Sequence, residues 1–279
     1  MFNKRITWII LSAVMFISAG VLIFYFLWAN GFIDPPEVSP TTEYDEFTYP
    51  SLNPTEHLTP DGVIKRLDPE HKGTVDQDKN PVNFAELQAM NPDIVGWIHM
   101  SSPFISQPIL RSPTNDSYYL SHNASKKYDK AGSLFIEHKY NGTDFEDMCT
   151  IIYGHRMSNG AMFGNLQVSM NKIDLSKNSQ YIVMYLPNKV KIYQICATIV
   201  RDKRHIMYYN NFNDESSYTS FINEVYNSRG KNVDLVDAAK PKYGDKLLIL
   251  STCLRGDRTE RFLVIAKEIG GDSQSQPVD

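Results

Sequence analysis

The chain has 279 residues, 42% of them hydrophobic and 22% charged, which suits one globular domain of moderate size with accessory segments. Its formal net charge is -4 and no basic run exceeds three residues, which excludes the concentrated basic face of a nucleic-acid binder. The three cysteines, Cys149, Cys196 and Cys253, form no C-x-x-C pair, so thioredoxin-like redox chemistry and a zinc site both lack support.

Lys4 and Arg5 precede an uncharged stretch over residues 6–33, long enough for the roughly 20 apolar residues with which a helix crosses a bilayer. Asp34, Glu37, Glu43, Asp45 and Glu46 follow it. The positive-inside rule then predicts a cytoplasmic amino terminus over residues 1–5, a single-pass anchor in the cell membrane over 6–33, and an extracytoplasmic remainder. Trp8 and Trp28 stand near the two ends, where interfacial aromatics are favoured. A cleaved signal peptide is the rival reading, but its apolar region is usually shorter and ends in a small-x-small site, and no good site is present. Residues 34–79 read as a stalk. Pro35, Pro36, Pro40, Pro50, Pro54 and Pro60 favour extended backbone, and the segment has no apolar period.

The globular domain is expected over residues 80–269. "NFAELQAMNPD" predicts a helix capped by Asn83, with Phe84, Leu87 and Met90 on one face and Asn91-Pro92 ending it. "IVGWIHM" predicts a strand with Ile94, Gly96 and Ile98 on one face and Val95, Trp97 and His99 on the other. "FISQPIL" from 104 is a second strand, whose proline marks an edge or a bulge. "GSLFIEH" from 132 and "MCTIIYGH" from 148 are two more. Residues 180–200 predict a hairpin turned at Pro187-Asn188. Residues 215–229 predict a helix, with Tyr218, Phe221, Ile222, Val225 and Tyr226 on its apolar face. "KLLILSTC" and "RFLVIAKEI" are the last strands, and residues 270–279 are an expected disordered tail. Seven or eight closely spaced strands with few helices indicate a mainly β fold, a barrel or a sandwich.

In "LLILSTCLRGDRTERFLVIA", residues 247–266, an apolar run ends at Cys253 and a second begins at Arg261. If the two pair as antiparallel neighbours, Cys253 and Arg261 face each other with Cβ atoms about 5 Å apart. A guanidinium beside a thiol favours the thiolate and can hydrogen-bond an oxyanion. A lone cysteine at a strand end is usually a small core residue, and a lone arginine there is usually solvated. "TIIYGHRMSNGAMFGNL" changes that balance. His155 also stands at a strand end, on a loop whose Gly160 and Gly164 permit unusual backbone, and histidine passes protons in both directions near neutral pH. The other six histidines lack this setting. Together, Cys253, His155 and Arg261 form a thiol-nucleophile pattern.

These residues carry a resemblance. "LSTC", an arginine eight residues on, "YGHRMSNGAMFGNL" and "NPDIVGWIHM" resemble the class B sortases, in the same motif order over most of residues 80–268. Ile249 stands where threonine is common in the signature, which leaves Thr252 and Cys253 intact. "NDSYYLSH" and "AGSLFIEH" are similar to segments between the first strands of that class.

The resemblance implies an eight-stranded sortase-type β-barrel with a few peripheral helices. It implies a Gram-positive, membrane-anchored cysteine transpeptidase that anchors proteins to the cell wall without a cofactor or metal. Its donor partners would be secreted proteins bearing a C-terminal sorting motif, cleaved after threonine through a thioester. Its acceptor would be an amine of the peptidoglycan cross-bridge or its lipid-linked precursor. Cys253 would be the nucleophile, His155 the proton donor and acceptor, and Arg261 the oxyanion and substrate clamp, with the Leu254 N–H as a second donor. Arg255 and Arg258 are rivals for the arginine role, but the family position matches Arg261. Ser251 and Thr252 would line the substrate groove, with Leu120 and Tyr208 as further substrate contacts and residues 203–214 as part of the groove wall. The alternatives are a pilin polymerase that joins its substrate to a pilin lysine, and a tethered binding domain without chemistry. The sorting motif itself is not legible.

Overall fold

The computed structural model describes residues 80–271; the expected anchor, stalk and final tail residues lie outside them. The described residues begin with helix α1 (Phe84–Met90), where the Asn83 side chain accepts from the Glu86 N–H at 3.2 Å. Phe84 and Leu87 are buried as the spacing predicts, whereas Met90 is exposed because the helix ends there and the chain turns inward at the fully buried Asn91.

Nine strands follow among the described residues: β1 (Ile94–Ser101), β2 (Phe104–Leu110), β3 (Leu134–Phe135), β4 (Cys149–Tyr153), β5 (Tyr181–Tyr185), β6 (Val190–Asp202), β7 (Asp234–Leu235), β8 (Leu247–Leu254) and β9 (Asp257–Gly271). Their order is β5-β1-β2-β3-β4-β8-β9-β6-β7, and β5 also pairs with β6. Eight strands therefore close into a barrel, the architecture expected, and the two-residue β7 adds an outer edge to β6. Closure leaves no open edge along the eight-strand ring. The β5–β6 hairpin turns where the sequence predicts, with Tyr185 opposite Val190 and the Leu186 N–H on the Lys189 carbonyl at 2.9 Å.

Two strands depart from the simple alternation. In β1 the register slips between Ile94 and Gly96, so Val95 is a bulge. The bulge reverses the phase of the strand. Val95, Ile98 and Met100 enter the main core, while Ile94 and Trp97 pack in a second cluster with Phe84, Leu87 and Tyr119. The expected grouping of Ile94 with Ile98 is thus corrected. In β9 the strand starts at Asp257 rather than Arg261. Leu254 pairs with Asp257 and Cys253 with Arg261, so residues 258–260 bulge out of a tight hairpin instead of forming a loose connecting loop.

The helices are peripheral: α2 (Leu166–Met170), α3 (Ile206–Tyr209) and α4 (Glu215–Tyr226). The Asp214 side chain caps α4 at the Ser217 N–H, and the five predicted apolar residues are the ones it buries. The helix stops at Tyr226, three residues short of the predicted end, with Asn227 as its C-cap, and the Tyr226 hydroxyl is tied to the carbonyls of Cys196 and Val236. Among the described residues no helix is long and apolar enough to cross a membrane.

Candidate active site

Register positions the site. Side chains paired across strands point to the same face of a sheet. Phe135 pairs with Tyr153, Tyr153 with Ser251, and Ser251 with Leu263, giving one row across β3, β4, β8 and β9. Two residues nearer the rim, Cys253 pairs with Arg261 and Arg261 with Arg201 on β6. Strands β4 and β8 are parallel, so the chain beyond Tyr153 brings His155 level with Cys253. The Gly154 N–H on the Ser251 carbonyl at 3.2 Å carries the pairing one step past the end of β4. All of these residues line one cleft of about 300 Å³, walled by Asp116–Leu120 segment residues on one side and by residues 203–206 on the other.

Glycine is needed between Tyr153 and His155. A Cβ at Gly154 would stand 2.4 Å from Leu134 Cδ2 and 2.7 Å from Phe163 Cδ2. Gly160 has a φ of +85°, and the Phe163 N–H closes the loop on the His155 carbonyl at 3.0 Å. The imidazole is oriented by Leu120, whose carbonyl accepts from Nε2 at 2.8 Å. A carbonyl can only accept, so Nε2 carries a proton in this arrangement. Leu120 ends a 3-10 turn (Tyr118–Leu120) anchored by Tyr119, which is buried.

The three thiols differ in burial. Cys149 and Cys196 are buried and Cys253 is half-exposed in the cleft. Burial raises the Cys149 thiol well above its usual range and pushes Cys196 up to about 12, with its Sγ 3.2 Å from the Ile265 carbonyl. Neither is a nucleophile at neutral pH. Thr252 is buried, and its hydroxyl has no hydrogen-bond partner among the described residues. Ser251 is buried and lines the cleft beside it.

The sequence-predicted residues therefore divide. His155, Cys253, Arg261, Ser251, Thr252 and Leu120 line one cleft. The Leu254 side chain is buried at the hairpin, so its backbone is the part left for a role beside Cys253. Tyr208 stands apart from them: it is exposed and lines a neighbouring cleft on the other side of α3. Only the start of that segment, Lys203–Ile206, lines the catalytic cleft, because the turn of α3 carries Met207, Tyr208 and Tyr209 away from it.

Arg201, Glu137 and His205 also line the cleft and were not singled out. Arg201 is buried, with Nη2 at 3.4 Å from Glu224 Oε1 and its guanidinium 5.7 Å over the Phe221 ring. Glu137 and His205 face each other at 2.8 Å. Nothing in a sequence pairs residues 68 positions apart, although Arg201 could be reached by counting across the β6–β9 register. Among the described residues no group of three or more His, Cys, Asp or Glu side chains is placed to hold a metal ion.

No family model matches the chain. It is 30% identical over 170 residues to Sortase B of Listeria monocytogenes serovar 1/2a, covering 60% of this chain and 65% of that protein, just under two thirds of its length. It is 27% identical over 190 residues to Sortase B of Staphylococcus aureus, covering 67% of this chain and 74% of that protein. The fold superposes on the X-ray structure of Clostridium perfringens sortase B with a TM-score of 0.57 at 25% identity, covering 67% of this chain and all of that one. In sequence, in fold and in the motif order around Cys253 and His155, the chain is similar to class B sortases.

Proposed function

We propose that the chain is a cysteine transpeptidase, held at the outer face of a cell membrane by residues 6–33, that joins secreted proteins to a cell-wall amine. The observation that carries this reading is the cross-strand pairing of Cys253 with Arg261, with His155 level beside them in one cleft.

In this reaction the Cys253 thiolate attacks the carbonyl carbon after the threonine of a sorting motif. The carbonyl oxygen becomes an oxyanion, which Arg261 and the Leu254 N–H stabilise. The carbon–nitrogen bond then breaks, His155 gives its proton to the leaving amine, and a thioester remains on Cys253. An incoming amine attacks the same carbon and gives up a proton to His155. Collapse of the second tetrahedral intermediate forms the new amide and frees the thiolate. The Leu120 carbonyl on Nε2 orients the imidazole for this proton transfer. A cation aimed at the developing oxyanion acts in a partly dry cleft, where its effect exceeds that in water.

The test is a peptide-library cleavage assay with added amines, read by mass spectrometry. The expected result is a thioester adduct on Cys253 with a subset of peptides and an amide product once an amine is supplied. Peptide binding without any adduct would instead support the tethered binding domain, and preference for a lysine side chain over a cross-bridge amine would identify a pilin polymerase.

A further inference from the structure

The reaction as proposed leaves Glu137 and His205 without a role, although both line the cleft. They sit on opposite walls. Glu137 follows β3, and His205 follows the end of β6 and immediately precedes α3. Helix α3 has four residues, far below the length at which a helix persists alone. It also has open space on two sides. His205 and Ile206 line the catalytic cleft, while Met207–Asn211 line a second cleft of about 580 Å³. The segment is otherwise tied by the buried Ile206, by Met207 partly buried against the core, by Arg204 on Asp202 at 2.7 Å and by the Lys203 N–H on the Thr259 carbonyl at 3.1 Å.

His205 adds a further tie. Its Nδ1 accepts from the Tyr208 N–H at 3.2 Å, which caps α3. That bond assigns the proton to Nε2, which donates to Glu137 Oε2 at 2.8 Å and lies 3.1 Å from Oε1. On the β4 side, burial and the nearby Glu137 carboxylate raise the Tyr153 phenol. The Tyr140 ring lies 4.9 Å from the imidazole. One imidazole thus ties the capped end of α3 to the wall across the cleft.

We infer that Glu137 and His205 form a latch that fixes residues 203–209 as one wall of the donor-peptide cleft, a positioning role that rests on the transpeptidase reading above. Without the latch the wall must be ordered when the peptide binds, which weakens binding and leaves the chemistry at Cys253 unchanged.

The test uses the full chain with Glu137→Gln, His205→Asn and the double variant. Asparagine keeps a cap acceptor but is too short to reach Glu137. Deuterium uptake is measured at the amides of 203–209, and KM and kcat are measured for a donor peptide. Both single variants are expected to exchange faster in 203–209. Their KM should rise about 10-fold, as for loss of a charge-assisted hydrogen bond, with kcat within about threefold. The double variant should be no worse than the more severe single one, because both changes break the same contact. Unchanged exchange, a fall in kcat at constant KM, or additive effects would overturn the latch. Should the wild-type chain form no adduct with any peptide, the transpeptidase reading fails, and the exchange measurement still decides the latch.

Discussion

At one end of the β8–β9–β6 wall, Lys189, Lys191 and Lys246 converge on the Glu146 carboxylate, and Lys191 also reaches Glu268 at 3.1 Å. At the other end Arg261 and Arg201 are register partners on adjacent strands, and Glu224 reaches Arg201 at 3.4 Å. The same strands thus carry a closed charge network at one end and two neighbouring guanidinium groups at the other. Like charges directly opposite on a sheet are unfavourable, and here Glu224 on Arg201 and the Glu260 carbonyl, 3.1 Å from Arg261 Nη1, offset part of that cost. Under the proposed reaction, Arg261 would meet there a negative charge that arises only during turnover. The closed end can steady the barrel because it has no such charge to wait for.

Removing the nucleophile separates the two ends most sharply. Cys253→Ala is expected to lower transpeptidation by at least about 1000-fold and to leave the melting temperature near that of the wild type. Mass spectrometry of the thioester, together with a thermal melt, checks both halves. A variant that still transfers peptide would place the chemistry elsewhere. Arg261→Ala comes next, with a loss of about 100- to 1000-fold, as for an oxyanion donor. Arg255→Ala and Arg258→Ala should change kcat/KM little, since it is Arg261 that pairs with Cys253. If Arg255→Ala proved worse than Arg261→Ala, the register reading of the rim would be wrong.

Sequence reasoning reached the rim better than the walls around it. Cys253, His155 and Arg261 were legible because each stands where an apolar run meets a polar segment, and strand ends are what such boundaries mark. The barrel was legible for the same reason, since eight short apolar runs have few ways to bury their backbones. The bulge at Val95 was not, because all seven residues from Ile94 to Met100 are buried and no polar alternation marks the slip. The start of β9 at Asp257 was hidden because residues 257–260 are polar and show no apolar pattern. The placement of Tyr208 away from that cleft was not legible, because a four-residue helix gives no period from which to read a face.

The closed end makes its own prediction. Glu146 has an ordinary pKa of 4.5; burial pushes it up, but hydrogen bonds from Lys189, Lys246 and Lys191 outweigh that and bring it down to about 2. A carboxyl with a lowered folded-state pKa contributes stability that is fully present above its unfolded value and lost as pH falls through the folded one. The Glu146 contribution is therefore expected to fade between about pH 4.5 and 2. Its side chain is 43% exposed, so solvent screening reduces what the clamp is worth. Glu146→Gln should cost about 2 kcal/mol at neutral pH, because it leaves the buried Lys191 with one carboxylate fewer. Urea melts from pH 3 to 7 should show the difference between variant and wild type shrinking toward low pH. Transpeptidation, measured below the melting transition, should not change, since this network lies at the far end of the strands from Cys253.

The smallest expected effect tests whether the rim walls are as independent of that network as the strand ends imply. The Tyr119 hydroxyl donates to Asp93 Oδ2 at 2.7 Å and accepts from Asn91 Nδ2 at 3.1 Å, while Lys126 holds the same Asp93 oxygen at 3.0 Å. These bonds anchor the turn whose Leu120 carbonyl orients His155. Tyr119→Phe keeps the buried ring and removes one hydroxyl, and Asn91 still donates to the Ala124 carbonyl at 2.8 Å. The cost should be about 1 kcal/mol, that of a single buried hydrogen bond. If the turn exists to set the imidazole, this variant should also lower kcat with donor KM unchanged, the opposite split from the Glu137 and His205 variants. Equal shifts in KM from both walls would mean that the cleft closes as one unit, and the division between a histidine-setting turn and a peptide-holding wall would fall.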